Sequence, residues 1–307
     1  MSSTLCAYFT LYLNIFTEDL LRYVIGAGGV YLVINLALRR LLERRQIRED
    51  RPKAAQICRE IAASLRTVAI FAAVGSVIAL GYRAGFIRLY FDVDQYGLLW
   101  LVASLLILIL AQDAWFFWSH RLLHNRRLFR LFHRLHHRSH NPTSFTSYSF
   151  DIGEAVVQAI YLPLALLVVP SHPIVLFLFT AHMMLRNAIG HCGVEVFPAG
   201  RDGKPLFGWL TTVTHHDLHH RDGRWNRGLY FTWWDRICGT EHPRYLEEFA
   251  RVARSAAVAI LIAGLAGAGQ AEAQSAEPAC GSEQPRCERP APHPANDLRI
   301  SIPGVFS

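Results

Sequence analysis

The first restriction on this chain is the length of its apolar runs. A helix that crosses a bilayer needs roughly 20 mostly apolar residues. Residues 20–38, 65–82 and 97–118 meet that length. Two shorter runs, 155–169 and 174–189, are separated by Pro170-Ser171-His172-Pro173, which reads as the tight turn of a helical hairpin. Residues 5–16 are apolar but too short to span, and they read as an interfacial helix or part of an entry. Backbone polar groups inside a bilayer must be satisfied within the element itself, so such runs are helices. The expected fold is therefore all-α, an integral-membrane helical bundle. The composition agrees: 52% of the 307 residues are hydrophobic and only 18% are charged.

Charge placement gives the orientation. The formal net charge is +7. Much of it sits beside apolar spans, where it sets topology and meets anionic headgroups, so no nucleic-acid partner is expected. The loop after the first span carries Arg39, Arg40, Arg44, Arg45, Arg48, Arg51, Lys53 and Arg59, and by the positive-inside rule it is cytoplasmic. The mixed-charge loop at 83–94 then lies outside. The third span returns to the cytoplasm and delivers His120, while the hairpin places His172 outside and His191 inside. Six cysteines form no C-x-x-C pair, which leaves a zinc ribbon or thioredoxin-type motif unsupported.

Thirteen of the 15 histidines fall between His120 and His220, where even scatter would put about five by simple proportion. Histidine is the commonest metal ligand. Three clusters stand out: His120 with His124; His133 with His136 and His137; and His216 with His219 and His220. Residues three or four apart share a helix face, so each cluster can aim at one site. Span counting brings all three to the same membrane side, as a histidine-rich cytoplasmic cap. Eight imidazoles exceed what one tetrahedral zinc requires and suit two metals. His191, ending the returning hairpin helix, is a ninth candidate, with Asn187 four residues earlier as a weak ligand or a support for one. His182 and His215 are further candidates as ligands or supports, and His140 a weaker one. His172, His242 and His293 read as structural or exposed. Asp113 lies two turns before His120 within an apolar span, where a carboxylate is costly and usually functional. It can either hydrogen-bond an imidazole ligand or pair with Gln112 or a neighbouring helix. Asp217, Glu154 and Asp235 are candidates for the same supporting role.

The order H-x-x-x-H, H-x-x-H-H and a later H-x-x-H-H resembles the fatty acid hydroxylase / sterol desaturase superfamily. Asn187-Ala-Ile-Gly-His191-Cys-Gly-Val-Glu195 resembles its returning helix. Trp225-Asn226-Arg227-Gly228 and Trp234-Asp235-Arg236-Ile237-Cys238-Gly239-Thr240 resemble its closing segment. The match runs over about residues 98–240. Some members carry histidine where Asn187 stands, and many read H-P-x-E where this chain has Asp151-Ile-Gly-Glu154. The resemblance implies two iron ions, O2 as co-substrate and a lipid substrate that is hydroxylated or desaturated. The implied ligands are His120, His124, His133, His136, His137, His191, His216, His219 and His220. No dinucleotide or haem-attachment motif is visible, so an external electron donor, a separate redox protein, is expected. A zinc-dependent membrane hydrolase and a metal transporter are the alternatives. The first lacks H-E-x-x-H, and the second would place its ligands deep within spans.

The expected organisation is residues 1–96 as an N-terminal membrane region with two spans and a basic loop, 97–250 as the catalytic domain, and 251–307 as a tail. In the tail, an apolar stretch at 256–268 precedes Ala271-Glu-Ala-Gln and a Pro/Ser/Glu-rich end. It reads as a short anchor, or as the remnant of a fused neighbouring sequence. If the stretch crosses the membrane, Cys280 and Cys287 can pair outside.

Overall fold

A computed structural model describes residues 3–253, so the readings of the tail, including Cys280 and Cys287, lie outside the described residues. Among the described residues there are helices and isolated bridges but no strands. Four helices are long and apolar enough to cross a membrane.

The first span is longer than the sequence suggests. Helix α1 (Ser3–Tyr23) continues through two π-helical segments, Val24–Gly28 and Tyr31–Ala37. The candidate span Leu5–Ala37 has 33 residues. Residues 5–16 are therefore not a separate interfacial helix. Glu18, Asp19 and Arg22 interrupt the apolar pattern there, but Asp19 and Arg22 pair across one turn. Thr10 and Thr17 donate their hydroxyls to the carbonyls of Cys6 and Leu13, at 2.9 and 2.8 Å. These contacts meet part of the polarity within the helix, which continues unbroken.

Helices α2 (Ala54–Arg83) and α3 (Gly97–Leu123) are spans of 30 and 27 residues. The hairpin is asymmetric. Its outgoing arm is two short helices, α4 (Ile152–Ala159) and α5 (Tyr161–Leu166). Pro163 cannot donate to the Ala159 carbonyl four residues back, and the helix breaks between them. The returning arm is α6 (Pro173–Gly190), with Pro173 in its first turn and the His172 ring accepting from the Ile174 amide at 3.2 Å. His172 is therefore a helix cap, in line with its structural reading. The turn is laced to the preceding loop by Ser171 N to Arg88 O, at 2.9 Å, and by Arg88 N to Leu166 O, at 3.1 Å.

At the other end, residues 144–148 form a buried polar wedge. Ser144–Tyr148 forms a 3-10 turn closed by a capping box between Thr143 and Thr146. Thr143 Oγ1 donates to Glu60 at 2.5 Å, Ser64 Oγ to the Phe145 carbonyl at 3.0 Å, and Asn187 Nδ2 to the Ser147 carbonyl at 2.8 Å. The wedge thereby ties α2 to α6. Buried Arg45 closes the same layer: its Nε donates to the Glu195 carbonyl at 2.6 Å and its guanidinium also reaches the Phe197 carbonyl.

Packing along α1 depends on Gly26, where an added Cβ would lie 2.5 Å from Met184 Cγ on α6. Overpacking of this kind costs about 1–3 kcal/mol. We expect Gly26→Val to lower the thermal unfolding midpoint of the detergent-purified protein by several degrees. Gly28→Ala, at a position with nothing within 4 Å, should leave it unchanged.

Candidate metal centre

The cap is built from four pieces of chain. Helix α3 supplies His120 from its last turn and His124 as its C-cap. A short helix, α7 (Arg126–Phe132), ends at His133, whose backbone leaves the helical region. His136–Arg138 is a single 3-10 turn. Helix α8 (Val213–Arg221) carries the last cluster, and His191 caps the end of α6.

These backbones do not aim each cluster at one point, as a single helix face would. The nine histidines sort into two groups, each with its ligand-capable nitrogens within 4.8 Å of one another. One group is His120, His124, His133, His137 and His219; the other is His136, His191, His216 and His220. The second cluster divides with the same spacing as the third: His133 and His137, four apart, turn one way and His136 the other. The third is divided by helix geometry, since His216 and His220 are one turn apart and His219 lies off their line. The groups abut, with the His137 and His220 rings 5.0 Å apart.

The spacing fits metal ions. Nε2 of His120 is 2.9 Å from that of His133 and 3.2 Å from that of His124; His124 and His219 are 3.1 Å apart, as are His137 and His133. In the second group the His191 to His216 and His191 to His136 distances are 2.9 and 3.4 Å. Two nitrogens each about 2.1 Å from one ion, subtending 90–110°, are about 3.0–3.4 Å apart. Paired imidazole nitrogens at that spacing cannot all be hydrogen-bonded to one another, and a shared cation satisfies them together. Both ring nitrogens of His220 are buried without a hydrogen-bond partner.

The far nitrogens are held by fixed acceptors. Nδ1 of His120 meets the Arg227 carbonyl at 3.0 Å, that of His219 the Trp225 carbonyl at 2.7 Å, and that of His191 the Asn187 carbonyl at 2.7 Å. Nδ1 of His133 lies 2.8 Å from a Glu154 carboxylate oxygen. With Nδ1 of His120, His191 and His219 protonated towards these carbonyls, the Nε2 lone pair of each faces the interior of its group. Burial strips solvent from the imidazolium form and pulls the rings down: His191 to about 4, and His124, His136, His137, His216, His219 and His220 well below the usual imidazole range, helped by neighbouring rings. At neutral pH these rings are in the neutral form that binds metals.

The remaining candidates lie outside both groups. Asp113 pairs with neither an imidazole nor Gln112: it accepts from the amides of Tyr230, at 2.8 Å, and Phe231, at 3.2 Å, and from Trp233 Nε1 at 2.9 Å. It ties the closing segment to α3 and touches no imidazole of the groups. Asn187 acts through its carbonyl, while its amide is engaged by the wedge. Asp217 accepts from Arg48 Nε at 2.8 Å. His182 packs on the Tyr230 ring with centroids 4.7 Å apart. His215 lies 3.8 Å from Asp235 and edge-on to Tyr245; burial pulls it down to about 3.

Residues with no chemistry of their own set the geometry. A Cβ on Gly223 would sit 2.7 Å from the His124 ring, and one on Gly153 would collide with the Phe132 ring. Gly153 therefore admits α7 against α4 and brings Glu154 to His133. Asn226, at φ 54°, is in the left-handed region that asparagine tolerates. Its amide donates to the His215 carbonyl at 2.9 Å, and its side-chain oxygen accepts from the His242 amide at 2.7 Å. Asp235 accepts from the amides of Arg227 and Gly228 at 2.9 and 2.8 Å. Together they hold the Trp225 and Arg227 carbonyls against His219 and His120. Sequence reading noted Asn226 and Asp235; the glycines carry no signal beyond their neighbours.

Residues 105–240 match the model of the fatty acid hydroxylase family. These residues carry the pattern of the fatty acid hydroxylase / sterol desaturase superfamily. Three relatives illustrate the likeness. A Delta(7)-sterol 5(6)-desaturase of Gibberella zeae is 28% identical over 70% of this chain and 65% of its own. Cholesterol 25-hydroxylase of Mus musculus is 31% identical over 48% of this chain and 50% of its own. Lathosterol oxidase of Homo sapiens is 27% identical over 60% and 61%. The chain thus spans about half to two thirds of the length of these relatives. No solved structure matches it.

Losing an acceptor that orients a metal-binding histidine typically costs 10–100-fold in metal affinity. Glu154→Ala should lower metal affinity by that factor while leaving helix content by circular dichroism unchanged, and Glu154→Gln should lower it less. Gly223→Ala should likewise reduce metal loading, by displacing the His124 ring.

Proposed function

We propose that this protein is a membrane oxidoreductase that uses O2 to hydroxylate or desaturate a lipid, with two iron ions held by the nine clustered histidines. The observation that carries this reading is the division of those histidines into two adjoining groups of five and four, with Nε2 spacings of 2.9–3.4 Å. His120, His124, His133, His137 and His219 would hold one ion, and His136, His191, His216 and His220 the other. Nine imidazoles exceed the four ligands of a structural zinc or the three of a hydrolytic one. Nor do they lie along a span as a transport path would require. The relatives, named for sterol oxidation, support a lipid substrate.

Bound iron would supply the activation of O2 and the oxidation of an unactivated C–H bond. The chain's own residues supply the rest. The Nδ1 contacts to Glu154, Arg227, Trp225 and Asn187 fix ring orientation. Phe129, whose ring centroid lies 5.4–5.9 Å from His124, His133 and His137, and Phe150, 5.4 Å from His136, line the centre with hydrocarbon and keep water from it. Exposed apolar side chains on the spans, such as Leu98, Leu99 and Trp118, face the bilayer from which an apolar substrate would come. On the positive-inside reading the centre faces the cytoplasm, where a separate redox protein would deliver electrons.

Protein purified without added metal should carry about two irons per chain and consume O2 when given a reductant and lipid extract. His136→Ala should lose iron from one group and His219→Ala from the other, and each should abolish turnover. One zinc per chain with no O2 uptake would overturn the proposal.

A further inference from the structure

Outside the metal centre, a cavity of about 320 Å³ lies among the spans α1, α2, α3 and α6 and the short arm α4–α5. Its outer part is hydrocarbon: Val74, Gly75 and Ile78 of α2, and Pro173, Leu176 and Phe177 of α6. Its inner part is not. Asp19 and Arg22 line it from α1 as an ion pair, with Glu18 beside them and Gln112, Tyr148 and Gln158 opposite. The Arg22 Nε is buried without a hydrogen-bond partner. Ionisable groups within a span are costly, and a pair that opens onto a cavity calls for a ligand rather than for packing.

The inner end lies close to the histidines by two routes. Tyr148 lines the cavity; its ring is 6.3 Å from Phe150, whose ring is 5.4 Å from His136. Gln158 also lines it, one helical turn after Glu154, which touches His133. The polar end of the cavity is thus the end nearer the metal centre, and the apolar end points away.

We infer that this cavity binds an uncharged lipid alcohol with its hydroxyl at the Asp19–Arg22 pair and its hydrocarbon between α2 and α6. A hydroxyl can donate to Asp19 and accept from Arg22 at once, so it leaves the ion pair intact. A carboxylate, phosphate or sulfate would have to displace Asp19 from Arg22 in the presence of Glu18, and an alkane would leave the charges without a polar partner. The lipid thus enters with its hydroxyl inward, and the carbons next to that hydroxyl lie closest to the histidines. That this ligand is the substrate rests on the oxidoreductase reading above; its binding does not.

The test is competition against a photoactivatable probe on the full chain in phosphatidylcholine nanodiscs. Two matched sets serve as competitors: hexadecan-1-ol, hexadecane and hexadecyl sulfate, and cholesterol, cholestane and cholesteryl sulfate. The diazirine analogue of hexadecan-1-ol or of cholesterol is the probe. In at least one set the alcohol should bind ten-fold or more tightly than both companions, with cross-links at the cavity residues Val74 or Leu176. Asp19→Asn combined with Arg22→Gln should reduce that preference to about two-fold without weakening the hydrocarbon. Val74→Trp, which fills the apolar part, should weaken every competitor, and it decides the matter with the wild type if the double variant does not fold. Equal binding of alcohol and hydrocarbon in both sets, preference for the sulfate, or an unchanged preference in the double variant would overturn the inference. The assay needs neither iron nor O2. A chain that selects alcohols but takes up no O2 refutes only the oxidase reading, and one that turns over lipid without selecting alcohols refutes only this site.

Discussion

The centre depends on one repeated interaction: a histidine Nδ1–H held by a fixed oxygen. At His120, His191 and His219 that contact settles which nitrogen faces inward, and so makes the rings donors to a cation rather than to one another. Neutral imidazoles crowded at about 3 Å spacing have no other favourable arrangement once water is excluded. All three acceptors are backbone carbonyls, so the position of these rings is set by the path of the chain. Much of the remaining structure outside the spans fixes that path.

The closing segment is the clearest case. Asn226 adopts a left-handed backbone conformation and bridges the His215 carbonyl to the His242 amide, while Asp235 gathers the amides of Arg227 and Gly228. The outcome is the placement of two carbonyls, those of Trp225 and Arg227. Asp113 then anchors the same segment to the span that carries His120. A carboxylate inside a bilayer helix is here a tether between the membrane part and the cap. The wedge at Ser144–Tyr148 serves the opposite side, joining α2 to the helix that ends in His191.

The helical membrane bundle was legible in the sequence because apolar run length is a direct physical requirement of the bilayer. The nine clustered histidines were legible because their spacing and family pattern lie in the chain itself. Less legible was what depends on partners distant in sequence. The length of the first span was hidden by Glu18, Asp19 and Arg22, whose pairing is visible only in three dimensions. The split of His136 from His133 and His137 was hidden because residues three and four apart were read as sharing one face. The partners of Asp113 were hidden because Tyr230 and Trp233 are distant from it in sequence. Gly153 and Gly223 carry their meaning in what they leave room for.

Helix α8 contributes to both groups, His219 to one and His216 with His220 to the other, and the turn at His133–His137 does the same. On the proposed ligand set, the two metal positions therefore share their moving parts. What displaces this helix or turn at one position is therefore felt at the other, and the two groups cannot be altered independently through it.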